Sequence, residues 1–122
     1  MKKILFDSIS ENRRIFEGIF PTDTAADIVK NSLIIGGREA SIYHINGMLD
    51  TESMLKIHSA LLNIRSEDIK KCSSAKELSE KYIPYTDYKV EREVDTLISA
   101  ILSAQSVLII DGFGQGIILD TK

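Results

Sequence analysis

The sequence predicts an α/β fold: a mixed β-sheet with helices packed on it and two hairpin-like strand pairs, in a single lobe. Three observations predict it. Segments of helical and of strand periodicity alternate along the chain. Two pairs of β-rich segments are joined by glycines, at Gly36–Gly37 and across Gly112, Gly114 and Gly116. Val107 to Ile110, "VLII", is a continuous apolar run, the pattern of a strand buried on both faces.

The elements follow in order. "SISENRRIFEGI" has Ser8 and Glu11 at capping-box spacing and a stripe of Ile9, Ile15, Phe16, Ile19 and Phe20, with Pro21 at its end. A helix is expected from Ser8 to Ile19. Ile28–Ile35 and Glu39–Ile45 are β-branched arms of a hairpin, with Val29, Leu33 and Ile35 on one face. "DTESMLKIHSALLNI" predicts a helix with Asp50 as N-cap and a stripe of Met54, Ile57, His58, Leu61 and Leu62. Ser74 and Glu77 repeat the capping-box spacing and start a short helix to about Tyr82. "IPYTDYKV" reads as extended, with Pro84 confining it to a sheet edge or a strand start. Val94, Leu97, Ile98, Ile101 and Leu102 mark the last helix, which ends near Ser103. The Tyr85–Val90 strand, this helix and Val107–Ile110 form a candidate crossover between parallel strands. "GIILD" is the final strand.

A length of 122 residues sets one domain. The chain is 43% hydrophobic and 27% charged, which argues for a folded unit rather than a disordered one. A net charge of −3 with both signs mixed argues against a nucleic-acid partner. No run reaches the roughly 18 apolar residues of a membrane span, and "MKKILF" stops at Asp7, too short for a signal peptide. The single Cys72 excludes an internal disulfide; in "KKCSSAK" it reads as a loop cysteine beside Lys70 and Lys71, whose charge would favour thiolate. His58 is expected half-sunk at the core edge. His44 lies in a strand without a second ligand at metal spacing, so no metal or other cofactor is expected.

The three late glycines decide between an enzyme and a non-enzyme. A dinucleotide-binding turn needs G-x-G-x-x-G opening a helix. Here the spacing is G-x-G-x-G, and "IILD" follows, too short and too β-branched for that helix. Asp111 before Gly112 suits a hairpin turn. Neither a Walker loop nor a G-x-S-x-G nucleophile elbow occurs. Asp50, Asp111 and Asp120 at element ends could gather as an acid/base or magnesium site, but turns and caps are the ordinary role of such carboxylates. No catalytic residue is assigned, and the chain is not expected to be an enzyme.

The ordered set "SENRRIFEGIF", "DIVKNSLIIGG", "ASIYHINGMLD", "KYIPYTDYKVEREVDTLISAILSAQSVLIIDG" and "GIILD" resembles the amino-terminal region of the spore germination receptor A subunits, the GerA family. "INGMLD" at Ile45–Asp50 and "ILSAQSVLIIDG" at Ile101–Gly112 are the most specific pieces, and "KYIPY" leans towards the SpoVAF-like branch. The resemblance covers nearly the whole chain and departs from the family pattern at two residues. Asn46 stands where the family usually has Asp, and Ala104 where it often has Gly after the helix, so a different helix end is expected there.

The resemblance implies a non-catalytic domain of a germinant receptor subunit, involved in germinant sensing, signal relay and receptor assembly at the spore inner membrane, soluble on the core side. The alternative is a small-ligand-binding α/β domain with a pocket shared with a second lobe. Implied partners are the B- and C-type receptor subunits, the chain's own second lobe and a small germinant. The chain would be the first lobe of a larger soluble region, followed in the parent gene by a second lobe and several apolar spans. The expected contact surface lies at the loops Asn46–Gly47 and Asp111–Gly114, each after an apolar strand. Phe113 in its glycine turn either anchors an interface or folds back over the core rim.

Overall fold

The two predicted hairpins pair and then join each other. In the computed structural model, which describes residues 3–20, 27–83 and 87–121, ten elements follow in the order α1 (Ile9–Ile19), β1 (Ile28–Ile35), β2 (Arg38–Ile45), α2 (Thr51–Leu62), α3 (Ser66–Lys70), α4 (Ala75–Tyr82), β3 (Tyr88–Glu91), α5 (Val94–Leu102), β4 (Ser106–Ile110) and β5 (Gly116–Leu119). The strands form one sheet in the order β1-β2-β4-β5-β3. The α/β class, the single sheet with packed helices and both hairpins are as the sequence predicts. Every neighbouring pair is antiparallel. The crossover through α5 therefore joins β3 and β4, which run the same way, with β5 inserted between them.

Strand alternation sends side chains to two cores, one on each face of the sheet. Leu33, Ile35, Ala40, Ile42, Leu108, Ile110, Ile117 and Leu119 meet α2, α3 and α4 through Ile57, Leu61, Ile69 and Leu78. Tyr43, Val107, Ile109 and Ile118 meet α1 and α5 through Phe16, Leu97 and Ile101. β4 and β5 are buried along their whole length, which explains their unbroken apolar runs. Gly36 and Gly37 both adopt positive φ, +56° and +83°, and so close the first hairpin in two residues.

Four local readings change. Ser8 makes no side-chain cap on α1; the helix is capped from elsewhere in the chain, as described below. On α2 the stripe narrows to Ile57 and Leu61 and Leu62 is 56% exposed, while His58 is half-buried as expected. Cys72 is 5% exposed and belongs to the core, its Sγ 3.6 Å from the Asp68 carbonyl. Burial, first of all, pushes its thiol pKa up, against the thiolate that its lysine neighbours would favour. Ala104 takes φ +71° and ends α5 in the left-handed manner of a glycine, rather than differently as expected. Its N–H donates to the Ile101 carbonyl and that of Gln105 to the Ala100 carbonyl, both at 3.0 Å, which is a Schellman pair. The one-turn helix α3, with Ile69 as its sole buried residue, has no periodic signal in the sequence. Pro21, Pro84 and Tyr85 lie outside the described residues.

Candidate functional site

The turn between β4 and β5 is tied on three sides. The Asp111 Oδ1 accepts the Ile9 N–H at 3.0 Å, so this carboxylate caps α1 across the fold. The Gly112 N–H donates to the Asp7 carbonyl at 2.7 Å, which binds the N-terminal segment to the turn. The Arg38 Nη1 donates to the Asp111 carbonyl at 3.4 Å, and its guanidinium lies 5.2 Å from the centre of the Phe113 ring. The N-terminal segment is fixed in turn by buried Asn12, whose side chain donates to the Phe6 carbonyl and accepts the Phe6 N–H, each at 2.8 Å.

This packing accounts for the glycines. A Cβ on Gly112, which has φ +93°, would lie 2.7 Å from the Arg38 Nη1; on Gly116 it would lie 2.9 Å from a Leu97 methyl. Gly114 sits against the Asp7 carboxylate. The glycines leave room for neighbouring side chains. Phe113 is 5% exposed and belongs to the same buried core as Leu33, Ile35 and Ile110, which makes it a core side chain. Of the predicted residues here, Gly112 is exposed and Asp111 and Gly114 are half-buried.

Asn46 and Gly47 lie elsewhere. Ala40 pairs with Ile110 and Tyr43 with Val107, so the end of β2 meets the start of β4. The carboxyl ends of these antiparallel strands are at opposite ends of the sheet, and the two loops do not come together. Asn46 and Gly47 are exposed, Gly47 has φ +82°, and the Asn46 N–H donates to the Asp27 carbonyl at 2.6 Å. Exposed Met48 follows directly. Asp50, Asp111 and Asp120 do not gather either; among the described residues no group of three or more His, Cys, Asp or Glu could hold a metal ion.

Two polar features were missed from the sequence. A groove of about 290 Å³ runs between α5 and the β5–β3 side of the sheet, lined by Lys89, Thr96, Ser99, Ser103, Gln105 and Ile118. Its signal is present in the hydroxyl row Thr96, Ser99 and Ser103, spaced for one helix face. The other feature is Arg13 on α1. It donates to the Ser41 Oγ at 2.9 Å, the Ala40 carbonyl at 3.2 Å and the Glu39 carboxylate at 3.2 Å, pinning α1 on β2. Beneath α1, Tyr43 stacks on Phe16 with ring centres 4.8 Å apart. Its buried hydroxyl has no well-placed partner among the described residues. Burial, then the Glu17 charge, pushes its pKa up to about 12, so the phenol stays protonated and is no base.

A family model described as the Bacillus/Clostridium GerA spore germination protein matches residues 15–122. The chain belongs to the GerA family. Its fold is also that of a solved structure, the crystal structure of the N-terminal domain of the A subunit of the Bacillus megaterium spore germinant receptor GerK3. The TM-score is 0.80 at 22% identity; the match covers all of this chain and 49% of that one, so this chain spans about half its length. No curated protein matches. Among the described residues of this GerA-family chain, no helix is long and apolar enough to cross a membrane.

Proposed function

We propose that this chain is the first lobe of the N-terminal region of a germinant receptor A subunit, and that it works by contact rather than by catalysis. In this reading it relays receptor state and supports assembly at the spore inner membrane, on the core side. Its partners are its own second lobe and the B- and C-type subunits. The observation that carries the reading is the family match over residues 15–122. The site geometry agrees with it. At the glycine turn the Asp111 oxygen, the Gly112 N–H and the Arg38 guanidinium are engaged in holding the fold together. Burial pushes the pKa of both the Cys72 thiol and the Tyr43 phenol up.

The second reading is a ligand pocket shared with another lobe. The α5 groove favours it, because its about 290 Å³ approaches the volume of small-ligand sites and its hydroxyl and lysine lining could hold a polar molecule.

The test is germination of spores whose parent gene lacks the codons for residues 1–122. Loss of the germinant response is expected. A response at the wild-type rate would remove this lobe from signalling. A normal response to high germinant concentration and none to low would favour the pocket.

A further inference from the structure

We propose that Asn46 is a self-modifying site, at which the side-chain amide closes onto the backbone nitrogen of Gly47 and hydrolyses to aspartate or isoaspartate. Such a closure needs a side-chain amide and a following backbone N–H that are both unengaged, and a following residue that does not crowd the nitrogen. Asn46 and Gly47 are exposed. They are the central residues of a β-turn that the Met48 N–H closes on the Ile45 carbonyl at 3.2 Å, with Gly47 at φ +82°, the type II arrangement. The Asn46 N–H is used on the Asp27 carbonyl. The Gly47 N–H and the Asn46 side chain have no hydrogen-bond partner among the described residues. A Cβ on Gly47 would meet nothing within 4 Å, so the approach to its nitrogen is open. The turn holds that nitrogen away from the Asn46 Cγ, and ring closure follows its opening. The bond that must break, at 3.2 Å, is at the long end of the N–H···O range.

The rest of the chain lacks this combination. Asn12 is buried in α1 with both side-chain polar atoms bonded to Phe6. Asn31 lies inside β1 and precedes Ser32. Asn63 precedes β-branched Ile64, whose N–H is given to the Leu61 carbonyl at 3.2 Å. Asp111–Gly112 offers the same ring closure from a carboxyl, but there the Gly112 N–H is held by the Asp7 carbonyl at 2.7 Å and the Asp111 Oδ1 by the Ile9 N–H at 3.0 Å.

The step balances with water alone. A base takes the Gly47 N–H proton and the nitrogen attacks the Asn46 Cγ. The N–Cγ bond forms, the Cγ–Nδ2 bond breaks, and Nδ2 leaves as ammonia with a proton returned to it. Water then adds to one carbonyl of the succinimide and breaks its C–N bond. One opening gives aspartate; the other gives isoaspartate, whose main chain runs through Cγ. One water is consumed, one ammonia is released, and one negative charge is added to a chain of net charge −3. Isoaspartate lengthens the main chain by a methylene between Ile45 and Met48, so the bond closing this turn is lost and the loop after β2 changes shape.

The test is incubation of the folded 122-residue chain in mildly alkaline buffer, followed by peptide mapping in a mass spectrometer. Isoaspartate is read separately, by methyl transfer from S-adenosylmethionine with a protein-isoaspartyl methyltransferase. The amide-to-acid mass change and isoaspartate are expected at position 46 before Asn12, Asn31 or Asn63 converts, and with no isoaspartate at Asp111. In urea, where the bonds to Asp7 and Ile9 are lost, Asp111 should gain isoaspartate as well. Gly47→Ala sets a methyl group beside the attacking nitrogen and should slow the conversion several-fold. Asn46→Gln, whose ring would be one atom larger, should abolish it, and decides the matter should the alanine variant not fold. An Asn46 amide that survives as long as that of Asn63 overturns the proposal. So does isoaspartate forming in the folded chain as fast at Asp111 as at position 46, or acid forming at the wild-type rate in Asn46→Gln.

Discussion

Asp111 joins three parts of the chain through one residue. Its carboxylate caps α1, its carbonyl accepts from Arg38, and its N–H donates to Glu39 at the start of β2. The sequence marks it as a turn residue; its cap is hidden because the bond spans 102 positions, whereas Ser8–Glu11 offers a cap at three. Local spacing shows which caps are available but not which one tertiary packing uses. Phe113 is a parallel case: a glycine-flanked aromatic is ambiguous until Arg38 and the first core are seen around it. Asp111→Ala should cost about 1 kcal/mol, the usual value of a lost N-cap. Asp111→Asn keeps the accepting oxygen and should cost less than half of that. Urea unfolding measures both. Equal midpoints for the alanine variant and the wild type would show that α1 is not capped from the turn.

At the level of elements, what is legible is what is locally determined. Both hairpins follow from glycines between β-branched arms, and α5 from its regular apolar stripe. The single turn of α3 is set by tertiary packing of Ile69 and leaves no period to read. The end of α5 shows a local rule overridden. Ala104 holds the left-handed conformation because its N–H and that of Gln105 satisfy the last helical carbonyls and turn the chain into β4. That conformation costs an L-residue about 1–2 kcal/mol. A glycine would relieve it but add about 0.4–1 kcal/mol of unfolded-state entropy. Ala104→Gly should therefore stabilise the domain by roughly 0.5–1 kcal/mol, read as a higher Tm. A lower Tm would mean that the strain is absent.

Across the whole molecule, strand order is where sequence reading stops. Nothing local says that β5 enters between β3 and β4, because that choice depends on which edges remain open after both hairpins form. The same limit governs the site. The two predicted loops each follow an apolar strand, yet the antiparallel pairing of β2 with β4 sends them to opposite ends. The groove beside α5 needs β3 in place before it exists. Family membership, by contrast, is legible from ordered motifs spread along the chain, and the match over residues 15–122 agrees with them.

Co-purification from spore membranes measures whether this lobe acts through contacts. The full-length parent protein and a form lacking residues 1–122 would each carry an affinity tag, and recovery of the B- and C-type subunits would be compared. The full-length protein is expected to bring them down, and the shortened one, still in the membrane fraction, to recover far less. Equal recovery from both would contradict action through contacts.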